Sequence, residues 1–433
     1  MIHVVQPGES FSAIAAAYGL TTRQLLDQNL PVDTERLVVG QALLVLQPAL
    51  VHTVQAGDTL YRLAQIYGLS VRQLYQRNPQ LLGMPAIWPG QQLVIRYAEQ
   101  NEAPLLVTGY GYPFIDRSLL RSVLPSLSTI KPFTYGFTSN GELVPIDDEE
   151  MLRMAQQAGS GAVMVLAPLT SEGMFDSNLA AELFASPEAT GNLISNTVNL
   201  ARIKGYDGVN LDFEYIRREE SASYVRFTAE LARQLHKEGR ILSVALAPKV
   251  SAEQRGQLYE GHDYRALGMA ADFAMLMTYE WGYTYGPPLA IAPTYEVRRV
   301  LEYGLSEIPA QKILMGIPNY GYDWTLPYRR GAAAVTISNQ RAVELAWLYE
   351  TEIRYDQAAQ APYIEYTTPE GARHIVWFED VRSISAKLDL AAEFGLRGIS
   401  YWTVNRPFPA NWLLVTTRFA PEPMPVYRGY LME

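Results

Sequence analysis

The sequence predicts an α/β fold: a (β/α)8 TIM barrel with an α+β insertion between strands seven and eight, preceded by two small βααβ modules. Three observations predict it. Residues 3–29 recur as residues 52–78 at a shift of 49. After residue 104, eight apolar runs of strand length alternate with amphipathic stretches. The 433 residues accommodate a barrel of ordinary size and two small units besides. Composition agrees, with 48% hydrophobic and 18% charged residues, enough for a sizeable core. No apolar run approaches the roughly 18 residues of a membrane-spanning helix, so a soluble protein is expected. The net charge of −10 argues against a nucleic-acid binder held by phosphate contacts. With no cysteine, disulfides, thiolate nucleophiles and cysteine-ligated metals are excluded. Five scattered histidines (His3, His52, His236, His262, His374) suggest no metal cluster, and no metal or cofactor is expected. The 28 tyrosines and 7 tryptophans beside many carboxylates suit carbohydrate chemistry.

The chain opens Met-Ile-His-Val-Val-Gln, without a basic region, an apolar stretch or a small-residue cleavage site, so no secretory signal is expected. In the repeat, His3-Val4-Val5-Gln6-Pro7-Gly8-Glu9-Ser10 aligns with His52-Thr53-Val54-Gln55-Ala56-Gly57-Asp58-Thr59. Tyr18-Gly19-Leu20 and Arg23-Gln24-Leu25 recur as Tyr67-Gly68-Leu69 and Arg72-Gln73-Leu74. In the second copy Asp58 or Thr59 can cap a helix whose buried face is Leu60, Leu63, Ala64 and Tyr67, with Gly68 at its C-terminal end. A second helix to Asn78 and a strand Gln92–Arg96 complete strand–helix–helix–strand. This pattern, ending in Pro89-Gly90-Gln91, resembles the LysM module, which binds glycans containing N-acetylglucosamine in a shallow groove. The resemblance places the groove at Gly8, Glu9, Ser10 and Phe11 in module one (2–47). In module two (51–96) it falls at Gly57, Asp58, Thr59, Leu60, Pro79 and Ile87. Module one departs from the pattern at Val38-Val39-Gly40.

Residues 97–104 are polar and read as a linker to a domain over 105–433. Its predicted strands are 105–111, 129–137, 161–168, 206–214, 241–248, 272–280, 312–321 and 397–404. Tyr224, Phe227, Leu231 and Leu235 form one stripe of an intervening helix. Most strand starts are 24 to 45 residues apart, but the last two are 85 apart, which predicts an insertion at about 325–390 containing a hairpin, 362–366 with 374–378.

The chemistry lies in the fourth strand, Asp207-Gly208-Val209-Asn210-Leu211-Asp212-Phe213-Glu214. Side chains alternate along a strand, so Asn210, Asp212 and Glu214 share the barrel-facing side and Val209, Leu211 and Phe213 the other. Glu214 comes last, at the C-terminal end where barrel enzymes place catalytic groups. The Cα atoms of Asp212 and Glu214 lie roughly 6–7 Å apart by strand rise. Two carboxyls in one dry pocket do not ionise independently, and a raised Glu214 suits a general acid. As neighbours on one strand face they cannot straddle a glycosidic bond, so the nucleophile must come from elsewhere.

This segment resembles the signature of glycoside hydrolase family 18, D-G-[hydrophobic]-[DN]-[hydrophobic]-[DN]-x-E. Met277-Thr278-Tyr279-Glu280, Trp402 and Tyr110 match further strand ends. Asn210 stands where aspartate is more usual, and Glu280 where aspartate or asparagine is. The resemblance implies substrate-assisted catalysis. Glu214 is then acid and later base, Asp212 orients the 2-acetamido group, Tyr279 hydrogen-bonds it and Trp402 lies under the ring, with Asp207 and Asn210 in support. Met277, Tyr110 and Glu280 would line the sugar site. Two segments read either as subsite loops or as aromatics packed on the barrel: 280–288, with Trp281 and Tyr283, and 319–324, with Asn319 and Tyr322. One cleft contact is expected from each.

Two LysM modules ahead of such a barrel are similar to the germination N-acetylglucosaminidases of spore-forming bacteria. The resemblance implies cleavage after N-acetylglucosamine in spore-cortex peptidoglycan, and a spore-associated location reached without a classical signal peptide. A chitinase is the rival enzyme reading, and a non-catalytic lectin the rival of another class; lectins of this fold usually lack the acid that Glu214 supplies. Residues 1–96 hold six arginines and five acids, net +1, while the remaining 337 residues hold 29 basic and 40 acidic residues, net −11. Attachment to a wall polymer is therefore expected to resist moderate salt.

Overall fold

The computed structural model describes residues 1–31, 33–101, 103–170 and 175–425. Residue 102 of the predicted linker and residues 426–433 of the predicted barrel domain lie outside these. Among the described residues, no helix is long and apolar enough to cross a membrane.

Eight parallel strands close into a barrel, as predicted: β1 (Pro104–Gly111), β2 (Thr129–Pro132), β3 (Gly161–Leu166), β4 (Gly208–Leu211), β5 (Ile241–Leu246), β6 (Phe273–Leu276), β7 (Ile313–Pro318) and β8 (Gly398–Trp402). They are ordered in sequence, and β8 returns to β1 with Gly398 opposite Leu106. Most strands are shorter than their apolar runs. The ladder of β4 ends at Leu211 with one further bond, from the Asp212 N–H to the Leu166 carbonyl (2.9 Å), so residues 213–214 leave the strand at the barrel mouth. Similarly, β2 stops at Pro132, and Gly136–Phe137 pairs instead with Leu143–Val144.

Helices cover the outside for the reasons the stripe suggested. In Ser221–Lys237 the buried residues are Tyr224, Phe227, Thr228, Leu231, Ala232 and Leu235, one continuous face. Phe213, pointing outward from the end of β4, stacks on Tyr224 with ring centroids 5.5 Å apart. The preceding helix Pro187–Lys204 starts with Ser186 accepting from the Ala189 N–H and proline in the first turn, and ends at Gly205 in the left-handed region.

The segment between β7 and β8 forms a five-stranded antiparallel sheet, including the predicted hairpin as Ala361–Thr367 paired with Arg373–Trp377. It starts at Gly321, and its last strand ends at Trp377. Helix Val381–Glu393 then runs into β8 as the barrel's own connecting helix, fixed by a buried ion pair between Lys387 and Glu379 (2.8 Å).

Both N-terminal repeats are βααβ units. In the second, Thr59 rather than Asp58 caps helix Leu60–Tyr67, and Gly68 ends it at φ +65°. This module docks on loops that precede β2 and β3, at the N-terminal face of the barrel. Arg72 donates to the carbonyls of Pro125 (2.8 Å) and Gly159 (2.6 Å), and Gln76 to that of Pro125 (2.7 Å). The linker is tied at both ends, Ala98 N–H to Gln47 O and Asn101 N–H to Thr417 O, each at 2.8 Å.

Candidate active site

The C-terminal ends of the barrel strands enclose a cleft of about 520 Å³. Tyr110, Asp212, Glu214, Met277, Tyr279, Glu280 and Trp402 line it, so the sequence places most of its candidates in one site. Asp212 is 5% exposed, and its Oδ1 is buried with no hydrogen-bond partner among the described residues. A buried, unanswered carboxylate oxygen is costly unless a ligand donor meets it. Burial is the main reason the Asp212 carboxyl is raised, to about 6, and the cation on Lys131 opposes that rise. Glu214 is pushed up to about 8, first by burial, then by the charges of Asp212 and Glu280. It is therefore protonated at neutral pH and able to donate a proton.

Glu280 has its backbone in the left-handed region (φ +69°), uncommon for a side chain of this kind. Its carboxylate accepts from the hydroxyls of Tyr320 and Tyr322, the latter at 3.0 Å. Those bonds favour its ionised form and partly offset the effect of lost hydration. Tyr322 thus reaches the site through Glu280. The ring of Tyr279 is accommodated by Gly316 on β7, where a Cβ would stand 2.7 Å from Cε1. Trp402 sits edge-on to Phe133, Tyr110 and Tyr112, with centroids 4.7, 5.5 and 6.0 Å away, which fixes its indole at the cleft wall.

Three of the candidates lie elsewhere. Asp207 precedes β4 at the opposite end of the barrel, where its Oδ2 accepts from the Ala162 N–H (2.8 Å). Asn319 is fully buried and braces the loop after β8, donating to the carbonyls of Thr403 and Arg406 (both 2.9 Å). Trp281 is not among the cleft residues and packs against the core; Tyr283 of the same loop reaches the cleft instead. Asn210 lies beneath the site, accepting from Ser243 Oγ (2.8 Å). The sequence reading missed Tyr215, Pro248, Leu258, Tyr259 and Met275, which also line the cleft. It also missed His262, fully buried, which accepts from the Ala247 N–H (2.9 Å) and donates to the Phe213 carbonyl (3.0 Å). That bond braces the backbone between Asp212 and Glu214, and burial holds the ring neutral, with its pKa near 4.

Glycosyl hydrolases family 18 matches residues 134–406, which contain the paired acids and all the cleft residues but Tyr110. The chain belongs to glycoside hydrolase family 18. It is a glycoside hydrolase, and residues 3–45 and 52–96 each match the LysM domain. The cortical fragment-lytic enzyme of Bacillus subtilis (strain 168) is 41% identical over 422 residues, 96% of this chain and 98% of that protein. The crystal structure of the Bacillus megaterium QM B1551 spore cortex-lytic enzyme SleL has a TM-score of 0.81 at 34% identity, covering 98% of both chains. The Bacillus cereus spore cortex-lytic enzyme SleL also scores 0.81, at 36% identity over 97% of this chain and 98% of that one.

The two LysM modules expose the segments predicted to form their grooves differently. Glu9 and Asp58 turn inward: each accepts from a backbone N–H three residues earlier (2.7 and 2.8 Å) and pairs with His3 or His52 (2.8 and 2.9 Å). Ser10 and Thr59 cap helices, while Phe11 and Leu60 are core residues. What differs is the second loop. In module two it is open, with Ile87 half-buried, Trp88 70% exposed and empty space where a Cβ on Gly90 would stand. In module one it is seated on the insertion: Ile353 N–H donates to the Val39 carbonyl (2.9 Å), Arg36 covers the Trp347 ring (4.0 Å) and a Cβ on Gly40 would stand 1.9 Å from the Ile353 carbonyl oxygen. A cavity of about 370 Å³ beside this junction, lined partly by Arg36 and Trp347, shares no residue with the catalytic cleft.

Proposed function

We propose that this enzyme hydrolyses the β-1,4 bond after N-acetylglucosamine in spore-cortex peptidoglycan, with retention and with the substrate's own acetamido oxygen as nucleophile. The observation that carries the reading is the buried, unpartnered Oδ1 of Asp212 lining one cleft with a protonated Glu214. An acetamido N–H is the donor that such an oxygen requires. Asp212 orients this group as its oxygen attacks the anomeric carbon, while Glu214 gives its proton to the departing glycosidic oxygen. Glu214 then takes a proton from the water that opens the oxazolinium intermediate. Tyr279 lines the acetamido side, and Trp402 supplies an apolar wall for the ring.

The chemistry also selects the sugar. A muramic residue cyclised as a lactam has no free acetamido group and cannot occupy the reacting subsite, though it can occupy the next. The names of the similar Bacillus enzymes support cortex as the polymer and a spore-associated site of action. Digestion of purified cortex, followed by borohydride reduction and mass spectrometry, tests the reading. Reduced N-acetylglucosamine at new ends is expected. Reduced muramic acid, or faster cleavage of chitin oligomers than of cortex, overturns it.

For attachment we propose that module two carries the open glycan groove and that module one serves chiefly to hold the insertion. Replacing Trp88 with alanine removes an exposed aromatic platform and is expected to lower retention on insoluble peptidoglycan about tenfold, equivalent to ~1.4 kcal/mol. Pelleting assays at two salt concentrations read this directly. Unchanged retention would place binding elsewhere.

A further inference from the structure

The barrel interior contains a lysine that the reaction as described does not use. Lys131 lies on β2 opposite Tyr110 on β1 and is fully buried. Its Nζ sits over the Tyr110 ring, 4.6 Å from the centroid, and makes a single long hydrogen bond among the described residues, to Ser400 Oγ on β8 (3.4 Å). A buried ammonium so poorly solvated is costly unless a charge answers it. Burial pushes the Lys131 amine down to about 7, with the negative charge of Asp212 opposing that fall, so the ammonium is held through the acid range; Lys131 is in turn the cation that opposes the rise of Asp212. The adjoining strand position holds Asn210, whose amide is neutral and accepts at Oδ1 from Ser243 Oγ, so the family signature contributes no further carboxylate there.

We propose that Lys131 is a positioning residue for the reaction: its ammonium in the barrel floor holds Asp212 ionised, in the state that aligns the substrate's acetamido group. The inference rests on the substrate-assisted reading above. The other titratable groups around Asp212 cannot supply that charge. Tyr110 and Tyr112 near the end of β1, Tyr224 on helix Ser221–Lys237 and Tyr279 after β6 are phenols that burial keeps neutral. Glu214, with Glu280 acting on it, is of the wrong sign. Lys131 supplies the missing positive charge without occupying space in the cleft, which it does not line.

The sign follows directly. Asp212 works as a carboxylate, so its protonation sets the acid limb of kcat/KM. Without the nearby cation the carboxylate holds its proton to higher pH. In Lys131→Met the acid limb is expected to move up by at least one pH unit. At a pH on that limb, kcat should fall at least tenfold and KM less than twofold, with activity recovering as pH rises. Should this variant fail to fold, Lys131→Gln, which keeps a donor for Ser400 without the charge, carries the same test.

An unmoved acid limb in a folded variant, with activity reduced evenly at every pH and a lowered Tm, marks a merely structural lysine and overturns the proposal. Asp212→Asn measured alongside separates the two levels. If that variant keeps full activity, the substrate-assisted reading itself fails. If it is impaired while Lys131→Met keeps the original acid limb, only the role of Lys131 fails.

Discussion

Glu214→Gln should lower kcat on cortex glycan by ~10³-fold, within the range a positioned general acid contributes, while glycan binding stays within twofold of the native enzyme. The size follows from the two tasks this side chain performs. As an acid it must be protonated when the glycosidic oxygen departs, and as a base it must accept a proton from water afterwards. Glutamine keeps the shape and a hydrogen-bond donor but can exchange no proton. Binding survives because Met277, Trp402 and Tyr279 shape the cleft without help from the proton. Single-turnover kinetics with a defined cortex fragment, together with a binding isotherm for the inactive variant, separates the two effects. Retained turnover would remove Glu214 from the chemistry. Loss of binding in step with turnover would show that the change had disturbed the cleft as a whole.

The parts of this molecule legible in its sequence are those that repeat or alternate. Eight apolar runs give eight strands, because a parallel strand covered on both faces needs no polar alternation. The exception, Asn210 and Asp212 within an apolar run, therefore stands out as chemistry. The repeat at a shift of 49 is legible because its caps and core recur in register. Motif membership does not by itself give position along a strand. Asp207 belongs to the same motif as Glu214, but five residues separate it from Asp212, about 16 Å at a strand's rise, and it stabilises the opposite end. Asn319 looked like a cleft contact because it follows a barrel strand, yet its amide is used up by Thr403, Arg406 and Asn339.

What stayed hidden depends on which distant loops meet. Leu258 and Tyr259 come from the irregular stretch after β5, where no periodicity indicates which side chains turn inward. Nothing about Lys131, between Ile130 and Pro132, marks it in the sequence as a buried cation; closure of the barrel encloses it. The seating of Val38, Val39 and Gly40 on the insertion shows in the sequence merely as a departure from the LysM pattern. Its cause, a partner surface more than 300 residues away at Ile353 and Arg382, is tertiary.

Asp212→Asn should lower kcat by ~10²-fold, the scale of losing one charged group that stabilises a developing charge in a water-poor site, and it should move the alkaline limb of the pH profile downward. The two effects have separate origins. Loss of rate comes from the positive charge that builds on the acetamido group as its oxygen attacks carbon; an amide offers it no compensating charge. The shift comes from Glu214. Its carboxyl is raised to about 8 by burial and by the negative charges of Asp212 and Glu280. Only the protonated form can donate, so the alkaline limb falls as that proton is lost. A neutral neighbour withdraws one of the charges holding the proton, hence Glu214 releases it at lower pH. The variant should therefore be slower at every pH, with its alkaline limb nearer neutrality than the native limb. This direction is opposite in origin to that of Lys131→Met, which moves the acid limb upward by leaving Asp212 without its cation. A pH series from 4.5 to 9.5 on one soluble cortex fragment measures both. An alkaline limb that stays in place in Asp212→Asn would mean that burial and Glu280 alone hold the proton on Glu214, and that the paired-acid coupling contributes nothing to it.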